Sequence, residues 1–569
     1  MAASVPHQQE AKLHCFLQWL QANSVELRGC CIRYCGPDKG FGVFATTGNI
    51  GDGIVMVVPL DLAITPMRVL QDRLVGPRCR ALFEEGDVDD RFLMMVFLMV
   101  ERVLPNSVWK PYLDLLPSTF ESTLWFTEDE LAELRGTTLY RATLVQQKQL
   151  RALFNDKVKS LVEELLQTDR DSDRTIEVQF EDFLWANCIF WTRALNIPFP
   201  RSYVFPESLD EQGKSSLSCS SEADATVTGN SGETSIHSLN VKSEVDHVIV
   251  ENTADGAYKL ASAETVWVEG LVPGIDFCNH GLKAAATWEV DSTGAVTGVP
   301  ASMYLILADQ QNFEVGKEIC ISYGNKGNEE LLYLYGFVVD NNPDDYLMVH
   351  YPIEALKSVS SSDSKAELLE AQKAELRCLL PKSSLNHGFF SERNEDSKKS
   401  LVGQSYNYSW SGQRKVPSYL SKLVFPQEFL VALRTIAMQE HELRQVVSLL
   451  EELGASGEER QPSDKDIQTA IWEVCGDYGA LELLVELLRM KMMELEEGSG
   501  TEDYDDEILT NFSIMKLEDV ERSKRTSEGV SMSRTRWSCV VYRKGQKQLT
   551  RLFLREAEQA LELCAREQP

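Results

Sequence analysis

The sequence has no long hydrophobic run, and this absence argues against a membrane-spanning protein. Its longest apolar run, Phe92 to Val100, has nine residues, whereas a helix that spans a bilayer needs roughly 20. We therefore interpret this run as a buried core helix and expect no membrane partner. The first residues also lack a basic segment followed by an apolar stretch, so no secretory signal is visible.

Basic residues are scarce relative to acidic ones. The chain has 87 acidic and 56 basic residues, which give a formal net charge of −31, and it contains no long run of Lys and Arg. A surface that binds nucleic acid needs clustered cations to neutralise phosphates, so we expect no nucleic-acid partner. The acidity suits a basic substrate segment, although a solvating surface explains the charge equally well.

Cysteines with metal-binding spacing are missing as well. The 13 cysteines are an odd number scattered along the chain, which is typical of reduced thiols rather than of a disulfide framework. Cys30, Cys31 and Cys35 lack the paired spacing of a zinc site, so we expect no bound metal. Reduced thiols favour a cytoplasmic location, with the nucleus and the plastid left open.

The patterns that are present indicate a globular protein of two to four domains, given 569 residues. Strand-like pieces punctuated by glycine occupy residues 33–59, and short strands and turns return over 266–339. Residues 206–262 are rich in Ser, Thr, Asp, Glu and Gly, and we expect a disordered loop because such a stretch buries too little apolar surface. After residue 343 the pattern is mainly helical, and the acidic residues over 494–507 predict a loop.

Four short segments contain residues typical of a ligand site. The first is the glycine turn Lys39–Ala45, whose glycines would let backbone groups approach a flat ligand closely. The others are Asp276–His280, with adjacent Asn and His, Glu318–Gly324, a predicted strand that ends in Tyr-Gly, and Tyr335–Phe337. Taken singly, each has an ordinary structural explanation: a plain hairpin, a satisfied polar pair or a packed tyrosine.

In this order the four segments resemble the SET methyltransferase domain. They are most similar to the split-SET family that contains Rubisco large-subunit lysine methyltransferase and actin-histidine methyltransferase. Three further segments support the resemblance: Ser107–Leu113 followed by Leu116-Pro117, Trp185 to Arg193 and, more loosely, Val541–Leu549. The resemblance therefore extends over nearly the whole chain.

The resemblance implies an α+β fold in two parts. It predicts a SET domain of short β-sheets over residues 1–342, with a large helical insertion over about 106–262. An all-α C-terminal substrate-binding domain, like that of Rubisco methyltransferase, is expected over 343–569. This domain would dock the protein substrate, a purely stabilising role being the alternative, and we expect a monomer.

The resemblance also implies S-adenosylmethionine as cofactor and assigns the site residues. Arg193 matches a basic residue near the cofactor carboxylate, which a guanidinium binds in a bidentate manner; an ordinary surface ion pair is the alternative. Tyr323 matches the catalytic tyrosine. The other implied cofactor-binding residues are Lys39, Gly40, Phe41, Asp276, Phe277, Cys278, Asn279, His280, Tyr335, Gly336 and Phe337.

The target side chain is predicted from two substrate-channel positions. In the actin-histidine enzyme, an Asn lies two residues after the arginine that Arg193 matches, and a Trp lies directly before the aspartate that Asp276 matches. Here these two positions are Leu195 and Ile275. An apolar channel suits the aliphatic stem of lysine, so we expect a protein-lysine N-methyltransferase that acts on a non-histone protein. A one-residue shift of the alignment would place Asn196 there and favour histidine. A catalytically silent SET-fold scaffold is the third hypothesis.

Overall fold

The computed structural model describes residues 5–36, 39–48, 50–168, 177–205, 265–308, 314–391, 417–455, 462–511 and 533–567. The loop predicted over 206–262 lies outside these residues. Within them, small antiparallel sheets combine with many helices, so the α+β prediction is confirmed.

The sheets of the described residues are small and antiparallel. Their strands are β1 Glu26–Leu27, β2 Cys30–Gly36, β3 Gly40–Ala45, β4 Ile54–Pro59, β5 Leu195–Pro200, β6 Thr265–Gly270, β7 Ala286–Asp291, β8 Ser302–Leu307, β9 Tyr346–His350 and β10 Arg377–Pro381. The largest sheet has the order β1-β4-β8-β7, and three pairs join β2 to β3, β5 to β6 and β9 to β10. The apolar strand β4 is almost entirely buried between β1 and β8.

Helices of the first region surround these sheets. They are α1 Val5–Ala22, α2 Pro66–Gln71, α3 Gly76–Glu84, α4 Asp90–Val103, α5 Lys110–Leu113, α6 Glu128–Ala132, α7 Thr138–Leu153, α8 Lys159–Thr168, α9 Phe180–Arg193, α10 Arg201–Val204 and α11 Asn328–Glu330. The apolar run in α4 is buried as predicted, and the helix begins where the Asp89 side chain accepts a hydrogen bond from the N–H of Phe92. Helix α9 packs against α4 and leads into β5, which fixes the position of Arg193 at its end.

The C-terminal region is mainly helical. Its helices are α12 Ile353–Leu356, α13 Ser362–Ala371, α14 Gln427–Ala437, α15 Glu440–Ala455, α16 Asp464–Val474, α17 Tyr478–Ser499, α18 502–511 and α19 Arg534–Glu567. The expectation of an all-α region was wrong in one respect, because β9 and β10 pair here; β9 alternates buried and more exposed side chains, as a strand does. The predicted loop over 494–507 is also largely helical, since it contains the end of α17 and part of α18.

The segment Glu318–Gly324 is not the continuous strand that its sequence predicts. Two isolated bridges hold it, one from Phe44 to Glu318 and one from His280 to Ile321. The segment pairs first with β3 and then with the Asn279–His280 pair, and it forms a single bridge with each. As a result it lies between the glycine hairpin and the Asn-His pair.

Two large hydrophobic cores and a smaller shared cluster organise the molecule. The main core contains residues from Phe16 to Ile321, and a second core contains residues from Leu347 to Cys564. The shared cluster includes Leu332 of the first region and Tyr542 of α19, so the last helix packs against both regions. Among the described helices, none is long and apolar enough to cross a membrane.

Candidate functional site

The glycine turn predicted from the sequence is the β2–β3 hairpin. Gly36 pairs with Gly40 across it, and Gly40 has a φ of 66°, a left-handed conformation that glycine adopts without steric cost. Just beyond the turn, the buried ring of Phe41 lies 6.0 Å from that of Phe277. The hairpin therefore contacts the predicted Asp276–His280 segment directly.

The carboxamide of Asn279 joins the hairpin to Glu318. Its Nδ2 donates to the main-chain oxygen of Phe41 at 3.3 Å and to Glu318 Oε1 at 2.6 Å. Because both partners only accept hydrogen bonds, the amide nitrogen must face them, and Oδ1 remains as an acceptor for a ligand. The other carboxylate oxygen of Glu318 lies 3.4 Å from Lys39 Nζ, whose side chain is 60% exposed. This role of Glu318 was not predicted from the sequence, in which the turn Gly316-Lys317-Glu318 is the only signal for it.

Gly42 allows the close packing at this junction. A Cβ at this position would lie 2.8 Å from Glu318 Oε1, 3.0 Å from Cys35 Sγ and 3.1 Å from Asn279 Nδ2. Distances this short require the neighbours to move, so the glycine is needed for space.

His280 is bound to the backbone beside Tyr323. Its Nδ1 accepts a hydrogen bond from the main-chain N–H of Tyr323 at 3.2 Å, and the N–H of Ile321 donates to the main-chain oxygen of Asn279 at 3.0 Å. Burial lowers the pKa of His280 below its ordinary value. The ring is therefore neutral near pH 7, with Nδ1 already engaged as an acceptor.

The hydroxyl of Tyr323 lies inside an aromatic cluster. It donates to the main-chain oxygen of Cys278 at 2.9 Å, and its ring centroid lies 4.7 Å from that of Tyr335 and 5.3 Å from that of His280. Phe337 contacts both His280 and Tyr335. Burial raises the pKa of Tyr323 above its ordinary value, so the phenol stays protonated at neutral pH.

Arg193 is not part of an ordinary surface ion pair. Its Nη1 donates to the main-chain oxygen of Asp276 at 2.9 Å and lies 3.4 Å from Oδ2 of that residue. The guanidinium is 4.8 Å from the ring centroid of Phe277, and the side chain is only 15% exposed. Its Nε is buried without a hydrogen-bond partner among the described residues. A buried donor without a partner is costly, and a ligand with an acceptor oxygen would satisfy it.

Asp276 has a further buried partner that the sequence analysis did not assign. Tyr112, from the Ser107–Leu113 segment, donates its hydroxyl to Asp276 Oδ2 at 2.6 Å. Burial raises the pKa of Asp276 above its ordinary value, while the charge of Arg193 and the hydrogen bond from Tyr112 oppose this shift.

Three other predicted residues have mainly packing environments. Leu195 and Ile275 are buried in the main core, whereas Asn196 is exposed on the opposite face of β5. Gly336 has a φ of 78°, and a Cβ there would lie 2.5 Å from the main-chain carbon of Glu121. The backbone conformation and space explain that glycine, and its role in binding a cofactor stays a prediction.

One cavity of the described residues lies apart from this site. A cavity of about 340 Å³, lined by Leu60, Pro200, Tyr203, Thr293 and others, contains none of the predicted residues. No group of three or more His, Cys, Asp or Glu side chains in the described ranges is arranged to hold a metal ion. The predicted residues instead converge, from Gly40 to Phe337, around the Asn279–His280 pair.

Comparison with known proteins agrees with the resemblance seen in the motifs, although no family model matches the chain. The [fructose-bisphosphate aldolase]-lysine N-methyltransferase of Arabidopsis thaliana is 29% identical over 181 residues, which cover 32% of this chain and 35% of that protein. The actin-histidine N-methyltransferase of Homo sapiens is 23% identical over 391 residues, covering 66% of this chain and 49% of that protein. The chain thus spans about half or less of the length of these relatives.

Solved structures extend the similarity to nearly the whole chain. The SET domain of LSMT bound to lysine and AdoHcy matches with a TM-score of 0.60 at 18% identity, covering 97% of this chain and 92% of that one. Rubisco LSMT bound to AdoMet matches with a TM-score of 0.58 at 17% identity, covering 98% and 93%. The chain therefore has the fold of the SET domain of LSMT, and the predicted resemblance to this family is confirmed.

Proposed function

We propose that this chain is an S-adenosylmethionine-dependent protein-lysine N-methyltransferase that acts on a non-histone protein. The observation that carries the proposal is the convergence of three segments: Asn279 donates to the main-chain oxygen of Phe41, 238 positions earlier, and Tyr323 donates to that of Cys278, the residue before Asn279. Relatives named as lysine and histidine methyltransferases of aldolase and actin support the same reaction class and a non-histone protein as substrate.

The residues present fit the proposed cofactor. The unpartnered Nε of Arg193 suits a carboxylate, the free Oδ1 of Asn279 suits an ammonium or amino group, and the rings of Tyr335 and Phe337 suit a flat base. S-adenosylmethionine, when bound, supplies a methyl group that is already activated on a sulfonium.

The chain's own contribution is to orient the reactants and exclude water. Because burial keeps the Tyr323 phenol protonated and its O–H donates a hydrogen bond to the main-chain oxygen of Cys278, the phenol oxygen has a fixed direction. Oxygens held in this way can bind a polarised methyl group through weak C–H···O contacts, and good alignment supplies several kcal/mol of the barrier, about 7–11 at most. His280 offers no strong base on Nδ1, so the target lysine releases its proton to solvent, which burial favours by lowering the pKa of the ammonium group.

Lysine is the preferred target for a reason of polarity. Leu195 faces the apolar core, while Asn196, which a one-residue shift of the alignment would place in the channel, faces outward from β5. An apolar wall supports the aliphatic stem of lysine and offers no hydrogen bond to an imidazole. Histidine is the second candidate, because relatives that match 66% of the chain are actin-histidine methyltransferases.

The proposal extends to domains and location. We assign residues 1–342 to the SET domain and 343–569 to a helical domain that docks the protein substrate; the separate hydrophobic core of the second region supports this division. Buried cysteines of the described ranges such as Cys30, Cys79 and Cys188 are free thiols, which favours a reducing compartment, and we propose a cytoplasmic monomer. Sedimentation of the purified chain and imaging of a tagged copy in cells test these two points, with a dimer or a plastid signal as the opposing results.

Titration calorimetry of the full chain with S-adenosylmethionine is the first test of function. We expect the natural chain to bind. Arg91→Met is the control and should bind as well, because it removes a partly buried ion pair outside the site, in which Arg91 Nε lies 2.6 Å from Glu269 Oε2. Arg193→Met should lose most of the affinity, because it removes the guanidinium from the site. No affinity in the natural chain would refute the proposal.

The second test identifies the target residue. A lysate incubated with the chain and heavy-methyl cofactor is digested and analysed by mass spectrometry. Methyl-lysine supports the proposal and methyl-histidine supports the second candidate. Cofactor binding without transfer to any protein would support the scaffold hypothesis.

A further inference from the structure

We propose that Tyr112 is a positioning residue for Arg193. Its hydroxyl fixes the carboxylate of Asp276, and that carboxylate sets the direction of the guanidinium that would bind the cofactor. The inference rests on the proposed function, and it gives a role to the Ser107–Leu113 segment, which the proposed chemistry leaves unused.

The hydrogen bonds around Asp276 form one buried network. Tyr112, on α5, is fully buried, and its hydroxyl donates to Oδ2 of Asp276 at 2.6 Å. The same oxygen lies 3.4 Å from Nη1 of Arg193, and Oδ1 accepts the N–H of Gly274 at 3.1 Å. Arg193 Nη1 also donates to the main-chain oxygen of Asp276 at 2.9 Å. Two of the four contacts thus fix the arginine, and the other two fix the carboxylate.

The ring of Phe277 packs against the side chains of both Tyr112 and Arg193. The ring of Phe277 lies 6.3 Å from that of Tyr112, and the guanidinium of Arg193 is 4.8 Å from the Phe277 centroid. Phe277 therefore contacts both ends of the network. Because Asp276 is bound so closely, a change in its hydrogen bonding reaches Arg193 directly.

A tyrosine suits this position because it keeps the carboxylate ionised. A charged acceptor makes stronger hydrogen bonds than a neutral one, so the hydroxyl stabilises the ionised form of Asp276 against the cost of burial. Without the hydroxyl, the carboxylate is protonated more readily, and its attraction to Arg193 then disappears.

The chain contains a matched control far from the site. In the C-terminal core, the hydroxyl of Tyr419 donates to Asp477 Oδ2 at 2.7 Å, and Asp477 is paired with the buried Arg434. Tyr419→Phe therefore removes the same kind of hydroxyl from the same kind of buried ion pair. It reports the structural cost alone.

The test compares Tyr112→Phe and Tyr419→Phe in the full chain. Calorimetry with S-adenosylmethionine should show a dissociation constant raised about tenfold for Tyr112→Phe and unchanged for Tyr419→Phe. Turnover at saturating cofactor should stay within about twofold of the natural chain for Tyr112→Phe, since the loss lies in binding. Thermal unfolding of both variants shows whether each is folded.

The pH dependence of cofactor affinity supplies a readout that a purely structural role would not change. The groups that face Asp276 are Tyr112, Arg193, Cys278 and Tyr323, and only Asp276 itself gains a proton on mild acidification. In Tyr112→Phe its pKa rises, so affinity should begin to fall at a higher pH than in the natural chain.

The outcomes separate this inference from the proposed function. Equal affinity and equal pH dependence in Tyr112→Phe and the natural chain would overturn the positioning role while leaving the methyltransferase proposal intact. A natural chain that does not bind the cofactor would instead refute the proposed function. Should Tyr112→Phe fail to fold while Tyr419→Phe folds, the hydroxyl would be a folding requirement, and the positioning role would be rejected.

Discussion

The hydroxyl of Tyr323 donates to the main-chain oxygen of Cys278, 45 positions earlier in the chain, at a distance of 2.9 Å. This contact joins the segment that contains Asn279 to the segment that contains Glu318, which a second hydrogen bond, from Asn279 to Glu318, joins again. Together with the hydrogen bond from Asn279 to Phe41, these contacts link the tyrosine, the amide and the hairpin. Changes to any one of them should therefore affect function more than stability.

Replacement of Tyr323 by phenylalanine tests the role of the hydroxyl. We expect turnover to fall at least about tenfold, because the oxygen that would contact the methyl group is lost. The free energy of unfolding should fall by only about 1 kcal/mol, the usual value of one hydrogen bond. Radiolabelled methyl transfer and urea unfolding measure the two quantities, and turnover equal to that of the natural chain would contradict the assignment.

Gly42→Ala tests whether close packing at the hairpin matters for binding. The new Cβ would lie 2.8 Å from Glu318 Oε1 and 3.1 Å from Asn279 Nδ2, so the contact between these side chains must change. We expect at least about a fivefold loss of cofactor affinity, which corresponds to about 1 kcal/mol.

Gly51→Ala is the control for this substitution, because a Cβ there meets nothing within 4 Å. Calorimetry with S-adenosylmethionine should show no change for this variant. Similar affinities for the two alanine variants would show that the space at Gly42 is unimportant.

The contact between the two regions depends on a buried arginine of α19. Arg543 is 3% exposed, donates to the main-chain oxygen of Glu133 at 3.0 Å and pairs with Asp505 at 2.7 Å. Arg543→Met should lower the free energy of unfolding by about 3 kcal/mol, because it removes a cation from a buried network. Urea unfolding measures this loss.

An exposed ion pair provides the comparison. Arg489 lies 2.6 Å from Glu558, and its side chain is 59% exposed. Arg489→Met should change the free energy of unfolding by less than about 1 kcal/mol, because solvent screens such pairs. Equal losses for the two variants would mean that burial of Arg543 adds nothing.

Asp345 should make stability depend on pH. Its buried carboxylate accepts hydrogen bonds from the main-chain N–H and the side chain of Asn328, and burial raises its pKa to about 6. In the unfolded chain the pKa is about 3.9. The folded state binds this proton more tightly than the unfolded chain does, so protonation of Asp345 adds to the free energy of unfolding. This added stability is complete below about pH 4 and is lost as the pH rises through 6.

The pKa of Asp345 differs by about two between the folded and unfolded states, which corresponds to a change of about 3 kcal/mol in the free energy of unfolding. Asp345→Asn cannot ionise and is the reference. The free energy of unfolding of the natural chain should fall relative to this variant between about pH 4 and pH 6 and stay level above pH 7. A constant difference across the range would disprove the shift.

The buried helix α4 and the glycine hairpin could be predicted from the sequence because each depends on a local pattern. The nine-residue apolar run from Phe92 to Val100 predicts α4, and the glycines of Lys39–Ala45 predict the hairpin. Tyr112 and Glu318 were not identified because their partners lie 164 and 39 positions away. A local pattern does not identify partners at such distances, and the Gly316-Lys317-Glu318 turn marks Glu318 without naming Asn279.

Two of the local predictions that failed concern the C-terminal region, where tertiary contacts decide the outcome. The acidic residues over 494–507 predict a loop, yet Asp505 is buried against Arg543 and Lys547, and these cations allow a helix there. The pair of β9 with β10 joins residues about thirty positions apart, so a helical pattern between them concealed it.

Helix α19 has a consequence for the way this protein can be divided. Its first turns complete the cluster that contains Leu134 and Leu332, and the hydroxyl of Tyr542 donates to Glu329 of α11, in the first region, at 2.7 Å. A fragment that ends near residue 342 would leave this apolar surface open to water and prone to aggregation. The last helix is therefore part of the folding unit of the first region, and the first region is expected to fold only when α19 is present.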